Sequence, residues 1–119
     1  MLQRLLFLCS RNRRRSPTAE RLFAADPSLE VASAGLAPDA DEGLTPDHLD
    51  GVDIVFVMEP AHRRRLMAGF KHQLKGVRIV CLNIPDDYDY MDPLLLALLE
   101  ARVTPHLKRR TARTEGDAP

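Results

Sequence analysis

Leu5-Leu6-Phe7-Leu8 is a continuous apolar run rather than an alternating one, which predicts a strand buried on both faces. An arginine-rich stretch follows it. Ser16-Pro17-Thr18-Ala19-Glu20 then opens a helix, with Ser16 as the expected N-cap, Pro17 at the first helical position, and Leu22 and Phe23 on the inner face. Asp26-Pro27-Ser28 breaks that helix, and Leu29 to Ala34 form a weaker strand pattern ending at Gly35. A polar loop leads to Thr45-Pro46, where a short capped helix begins. Ile54-Val55-Phe56-Val57-Met58 is the clearest strand in the chain. A helix from Ala61 to Phe70 returns to a fourth strand over Val77 to Leu82. Asp92-Pro93 opens the last helix, from Leu94 to about Val103, with Asp92 as its cap.

Strands separated by helices imply parallel pairing. The expected fold is therefore α/β: a small four-stranded parallel sheet with helices on both faces. At 119 residues the chain is long enough for one core and not for two. We assign 1–107 to that domain and expect 108–119, which turns basic and then polar with nothing to bury, to be a disordered tail. In open α/β sheets ligands bind beyond the carboxyl ends of the strands. The loop after the first strand and the acidic loop after the fourth both open onto that edge.

Charge is balanced, with 17 basic and 17 acidic residues, so bulk electrostatics favour neither nucleic acid nor an anionic membrane. The charges are nevertheless segregated: Arg11 to Arg15 and Arg63 to Arg65 are basic, Asp39 to Glu42 and Asp86 to Asp92 acidic. We read Arg63 to Arg65 as a solvated helix face and His62 as a residue of that surface. The first eight residues are too soon interrupted for a signal peptide, and no stretch approaches the roughly 20 apolar residues that span a bilayer. Cys9 and Cys81 are the only cysteines, and the four histidines have no paired metal spacing, so neither disulfides, metal nor cofactor is expected. The chain reads as cytoplasmic.

Candidate chemistry concentrates in Cys9-Ser10-Arg11-Asn12-Arg13-Arg14-Arg15-Ser16, a cysteine followed by five residues and then Arg-Ser. A loop between a strand and a helix start aims backbone N–H groups and the positive end of the helix at one point, which makes an anion site. Those dipoles and the arginines favour the thiolate form of Cys9. A thiolate facing a phosphate cradle is the working pair of a cysteine-based phosphatase. The acidic loop Asp86-Asp87-Tyr88-Asp89-Tyr90-Met91-Asp92 supplies four carboxylates, and crowding of like charges suits one of them to act as a general acid.

The chain resembles the low-molecular-weight protein tyrosine phosphatases over about its first hundred residues. The resemblance rests on Leu6-Phe7-Leu8-Cys9, Asn12, Arg15-Ser16-Pro17 and Ala19-Glu20, on Ala32-Ser33-Ala34-Gly35, and on Asp53 to Met58 with Ala61-His62-Arg63. Pro85-Asp86-Asp87-Tyr88 is similar to the loop that supplies the family's catalytic acid. Arg11, Arg13 and Arg14 stand where the family usually has small, apolar or cysteine residues, and Asp87 where it usually has proline.

The resemblance implies hydrolysis of a phosphorylated protein or small phosphomonoester through a phosphocysteine intermediate. Cys9 is the nucleophile, and the amides from Ser10 through Arg11, Asn12, Arg13 and Arg14 to Arg15 hold the phosphoryl oxygens. Arg15 adds a bidentate guanidinium that lysine cannot reproduce. Ser16 donates to the thiolate, Asn12 orders the loop in the left-handed conformation, and Asp86 is the general acid. Tyr88 and Tyr90 read either as flanking an aromatic phosphoester or as half-buried packing. Two alternatives stand beside this reading. An arsenate reductase can share fold and loop but needs resolving cysteines, and Cys81 reads as core. A non-catalytic phosphate- or RNA-binding module could use the loop arginines, though with no Trp and few aromatics the chain has little to stack bases on.

Overall fold

The protein, described here as a computed structural model over residues 2–107, is built on a four-stranded sheet. The expected tail, 108–119, lies outside the described residues. The strands are β1 (Gln3–Cys9), β2 (Leu29–Gly35), β3 (Ile54–Val57) and β4 (Arg78–Cys81). They are ordered β2-β1-β3-β4, and every pairing is parallel. The helices are α1 (Arg15–Phe23), the single-turn α2 (Pro46–Leu49), α3 (Pro60–Phe70) and α4 (Pro93–Val103), with short 3-10 turns at Lys71–Leu74 and Thr104–His106. The α/β architecture is the one expected from the alternation of patterns.

Period-two alternation divides β1 between two cores. Leu5, Phe7 and Cys9 face a cluster completed by Ala19 and Phe23 of α1 and Leu95, Leu99 and Val103 of α4. Leu6 and Leu8 face the opposite cluster, with Leu49 of α2, Leu66 of α3 and Leu74. Phe7 lies between Phe23 and Phe56, with ring centroids 5.7 and 5.2 Å away. Burial on both faces is why β1 and β3 read as unbroken apolar runs.

The connections leaving β1 and β3 run to opposite faces, since α1 lies on the first core and α3 on the second. Neighbouring strands whose connections diverge leave a crevice at their carboxyl ends. Cys9 ends β1 there. One boundary differs from expectation: α1 begins at Arg15, its N-cap is Arg14, and no side chain among the described residues caps it. Ser16 lies inside the first turn because its hydroxyl is turned to Cys9 instead of to the helix backbone. Asp92 does cap α4, accepting from the Leu94 N–H at 2.9 Å.

Candidate active site

The loop from Ser10 to Arg14 curls over the end of β1. Its turn is made by Asn12, which takes a φ of 59°, as expected of an asparagine in the left-handed region. The buried Asn12 carboxamide donates to Ser16 Oγ at 3.0 Å and to Ser33 Oγ at 2.9 Å, and Ser33 in turn donates to Glu20 Oε1. Ser16 Oγ accepts from Asn12 and lies 2.9 Å from Cys9 Sγ; to a thiolate, which can only accept, Ser16 is the donor. The Asn12 N–H also points at that sulfur, at 3.2 Å. Two donors converge on Sγ, an arrangement suited to a sulfur carrying negative charge. The amides of Arg11, Arg13, Arg14 and Arg15 donate to no acceptor among the described residues.

The loop is braced from outside by the segment after β2. Leu36 N–H donates to Cys9 O, Ala37 N–H to Ser10 O at 2.7 Å, and Asp41 N–H to Arg11 O at 3.0 Å. Gly35 lets the two chains approach: a Cβ there would lie 2.7 Å from Ser10 O and 2.5 Å from Ala40 Cβ.

Arg15 is buried, with its side chain 3% exposed. Its Nη1 donates to Glu59 Oε2 at 2.5 Å and to Ile84 O at 2.7 Å. Its Nε is buried and makes no hydrogen bond among the described residues, lying 3.7 Å from Asp86 Oδ1. Nη1 is thus committed to the protein, and the Nε–Nη2 edge, the fork that can take two oxygens of one anion, is left open. The acidic loop is tied at both ends, by Arg15 to Ile84 O and by the Met91 N–H donating to buried Thr18 Oγ1 at 2.9 Å. Arg102 steadies the approach to that loop, donating to the carbonyls of Leu82 and Asn83.

A cavity of about 410 Å³ is lined by Cys9, Ser10, Arg11, Arg13, Arg14, Arg15 and Asp86. Of the expected site residues, these seven meet, and Asn12 and Ser16 support the loop from beneath. Arg11 and Arg13 pair outward with Asp39 and Asp41, at 3.6 and 3.1 Å. Arg14 is exposed and makes no ion pair among the described residues. Tyr88 is half-buried against the first core and does not line the cavity, because the loop turns its ring inward. The more exposed ring is Tyr90, whose hydroxyl lies 3.5 Å from Arg21 Nη1.

Two residues were not anticipated. Glu59, at the start of α3, holds Arg15. His62, expected on the helix surface, is instead buried at 3% exposure, because the first turn of α3 packs against the phosphate loop. Its Nδ1 accepts the Glu59 N–H at 3.2 Å, so the ring hydrogen sits on Nε2 and is shared with Ser10 Oγ at 3.0 Å. Burial, and then the nearby Arg15 charge, hold the His62 pKa below its ordinary value. The available signal was Glu59-Pro60-Ala61-His62, an acid and a histidine three residues apart flanking a proline helix start.

No family model matches the sequence, and a comparison with curated proteins finds none similar. Solved structures do match. The tyrosine phosphatase AmsI of Erwinia amylovora is 25% identical with a TM-score of 0.70, over 92% of this chain and 95% of AmsI. The low molecular weight protein tyrosine phosphatase of Streptococcus pyogenes is 13% identical with a TM-score of 0.76, over 97% of this chain and all of that one. The arginine phosphatase YwlE of Geobacillus stearothermophilus is 20% identical with a TM-score of 0.70, over 98% and 99% of the two chains. In fold the chain is similar to enzymes of the low-molecular-weight protein tyrosine phosphatase type.

Proposed function

We propose that this protein hydrolyses phosphomonoesters by way of a phosphocysteine intermediate. The observation that carries the reading is the convergence of three groups on one cavity: the doubly hydrogen-bonded Cys9 Sγ, the open Nε–Nη2 fork of Arg15, and Asp86 beside that fork. Phosphoryl transfer runs through a loose transition state, so most of the work is positioning and charge stabilisation. In the first step Cys9 Sγ bonds to phosphorus while the ester oxygen leaves with a proton from Asp86. In the second, Asp86 takes a proton from water as the water oxygen attacks phosphorus, and the S–P bond breaks to return the thiolate and release inorganic phosphate. The loop amides and Arg15 hold the equatorial oxygens in both steps, and the Ser16 hydroxyl steadies the departing thiolate.

Phosphotyrosine in proteins is the substrate class we favour, from the resemblance in the phosphate loop and the likeness to tyrosine phosphatases. The YwlE likeness, spanning nearly the whole of both chains, favours phosphoarginine as a second reading. Comparing kcat/KM on phosphotyrosine and phosphoarginine peptides of one sequence separates the two. The mechanism itself is tested by Cys9→Ser, which should bind phosphate and lose turnover of para-nitrophenyl phosphate; retained turnover would rule out Cys9 as nucleophile.

Arsenate reduction through Cys81 is disfavoured by the sheet. Cys81 pairs with Val57 and Val57 with Leu8, so the cysteine backbones are about two strand spacings, roughly 10 Å, apart. Cys9 faces the first core and Cys81 the second. A disulfide needs Cα atoms within about 7 Å. A reduced Cys9 also accords with a cytoplasmic location, and no helix among the described residues is long and apolar enough to cross a membrane.

A further inference from the structure

The cradle has a side-chain donor besides Arg15. Ser10 lines the cavity directly after Cys9, and its Oγ meets His62 Nε2 at 3.0 Å. The direction of that bond is fixed from the far side of the ring. Nδ1 accepts the Glu59 N–H, so Nε2 carries the hydrogen and donates to Ser10. Ser10 Oγ therefore accepts from His62 and keeps its own hydrogen, for which the described residues offer no acceptor. The cavity is what remains in front of it.

We infer that the Ser10 hydroxyl donates a hydrogen bond to the phosphoryl group of the substrate, and that neutral His62 is the positioning residue that turns it there. This deepens the phosphatase reading and rests on it. The same turn of α3 sets both donors. Glu59 holds Arg15 Nη1 with its carboxylate and fixes the His62 tautomer with its backbone N–H. A protonated His62 carries hydrogens on both ring nitrogens, and Nδ1 would then face the Glu59 N–H with no lone pair to offer. The charges around the ring are mixed. Arg15 from α1 and Arg65 from its own helix oppose protonation, Glu59 and Asp86 favour it, and burial opposes it most. Nε2 donates to Ser10 in either state, so protonation acts by removing the Glu59 anchor that holds the ring, and with it Ser10, in place.

The test measures kcat/KM for para-nitrophenyl phosphate and the inhibition constant of inorganic phosphate in five forms: wild type, Ser10→Ala, His62→Ala, the double variant and His62→Gln. Thermal unfolding is followed in each. Loss of a hydrogen bond to a charged group predicts a fall of roughly 10- to 100-fold in kcat/KM for Ser10→Ala, with weaker phosphate inhibition. His62→Ala should fall similarly, and the double variant should be no worse than Ser10→Ala alone. His62→Gln, whose amide can donate where Nε2 does, should restore most of the loss. From about pH 5 to about pH 8 it should also decline less toward acid than wild type, since it does not titrate.

Should His62→Ala not fold, Ser10→Ala and the His62→Gln profile still decide. Multiplying losses in the double variant, full activity of Ser10→Ala, or an acid limb identical in wild type and His62→Gln would each overturn the inference while leaving the phosphatase reading intact. A wild-type protein without turnover would overturn both.

Discussion

Adding one methyl group to Gly35 should damage turnover far more than stability. The Cβ of Gly35→Ala would sit 2.7 Å from Ser10 O, 2.5 Å from Ala40 Cβ and 3.1 Å from the carbonyl carbon of Arg11. Non-bonded heavy atoms settle at about 3.5 Å or more, so gaps of about 0.8 to 1 Å must open at the first two contacts. Neither neighbour is the end of a flexible side chain. One is the backbone of the phosphate loop and the other is the brace hydrogen-bonded to it through Ala37. Overpacking of this kind costs about 1–3 kcal/mol of stability. A displacement of about 1 Å at a reacting centre costs about 100-fold in rate. We therefore expect Gly35→Ala to remain folded, with a lowered urea midpoint, and to lose about 100-fold in kcat/KM on para-nitrophenyl phosphate. Wild-type turnover in a folded Gly35→Ala protein would refute the argument that β2 sets the position of the loop. A loss of activity no larger than the unfolded fraction explains would refute it equally.

Arg15→Lys should lose most turnover, since an ammonium cannot fill the open fork while also holding Glu59 and Ile84; wild-type kcat/KM would show that another arginine binds the phosphoryl group. Asp86→Asn should slow hydrolysis of phenyl or alkyl phosphates by roughly 100- to 10,000-fold, with a smaller effect for the good leaving group para-nitrophenolate. Asp92→Asn should change turnover little, because asparagine also caps helices; if the two variants exchange behaviours in steady-state assays, the acid is Asp92. The lowered pKa of His62 means its contribution to stability is fully present above its ordinary value of about 6.5 and is lost as pH falls through the lower folded value. Urea unfolding of wild type and His62→Gln across that range should show the smaller acid loss in the variant, and parallel curves would count against a neutral buried His62.

The sheet was legible because β1 and β3 are buried on both faces, leaving apolar runs that no surface helix would carry. The cysteine loop was legible because its residues are contiguous and Asn12 announces its own backbone conformation. The N-cap of α1 was misread for a physical reason. A serine before a proline is ordinarily a cap, but here sulfur competes for the hydroxyl, and the first N–H groups of the helix are left without a side-chain cap. Glu59 and His62 were harder to find because their partners are 44 and 52 residues away in sequence. Local pattern places an Arg-Arg-Arg helix on the surface, and the other residues of its first turn, Pro60, Ala61 and Arg63, do face solvent. Only the contact with the phosphate loop distinguishes His62 from them.

The five positions from Arg11 to Arg15 form a basic run in sequence and three different things in space. Asn12 reverses the chain direction within the run, so its neighbours diverge. Arg11 and Arg13 reach outward to Asp39 and Asp41, Arg15 turns into the protein, and Arg14 stands at the rim. The outward pairs are half-exposed or more, and such pairs are worth about 0–1 kcal/mol. They cannot be what holds the loop. The backbone bonds beside them, Ala37 N–H to Ser10 O and Asp41 N–H to Arg11 O, share the same two chains and are not weakened by salt in the same way. The acidic stretch from Asp39 to Glu42 thus offsets two of the four loop cations while its backbone sets the loop's position. Of the guanidiniums left facing the cavity, Arg15 is held by Glu59 in a fixed geometry and Arg14 makes no ion pair among the described residues. Fixed charge suits the phosphoryl group, whose oxygens must be held through both chemical steps, and free charge suits whatever the phosphoryl group is attached to.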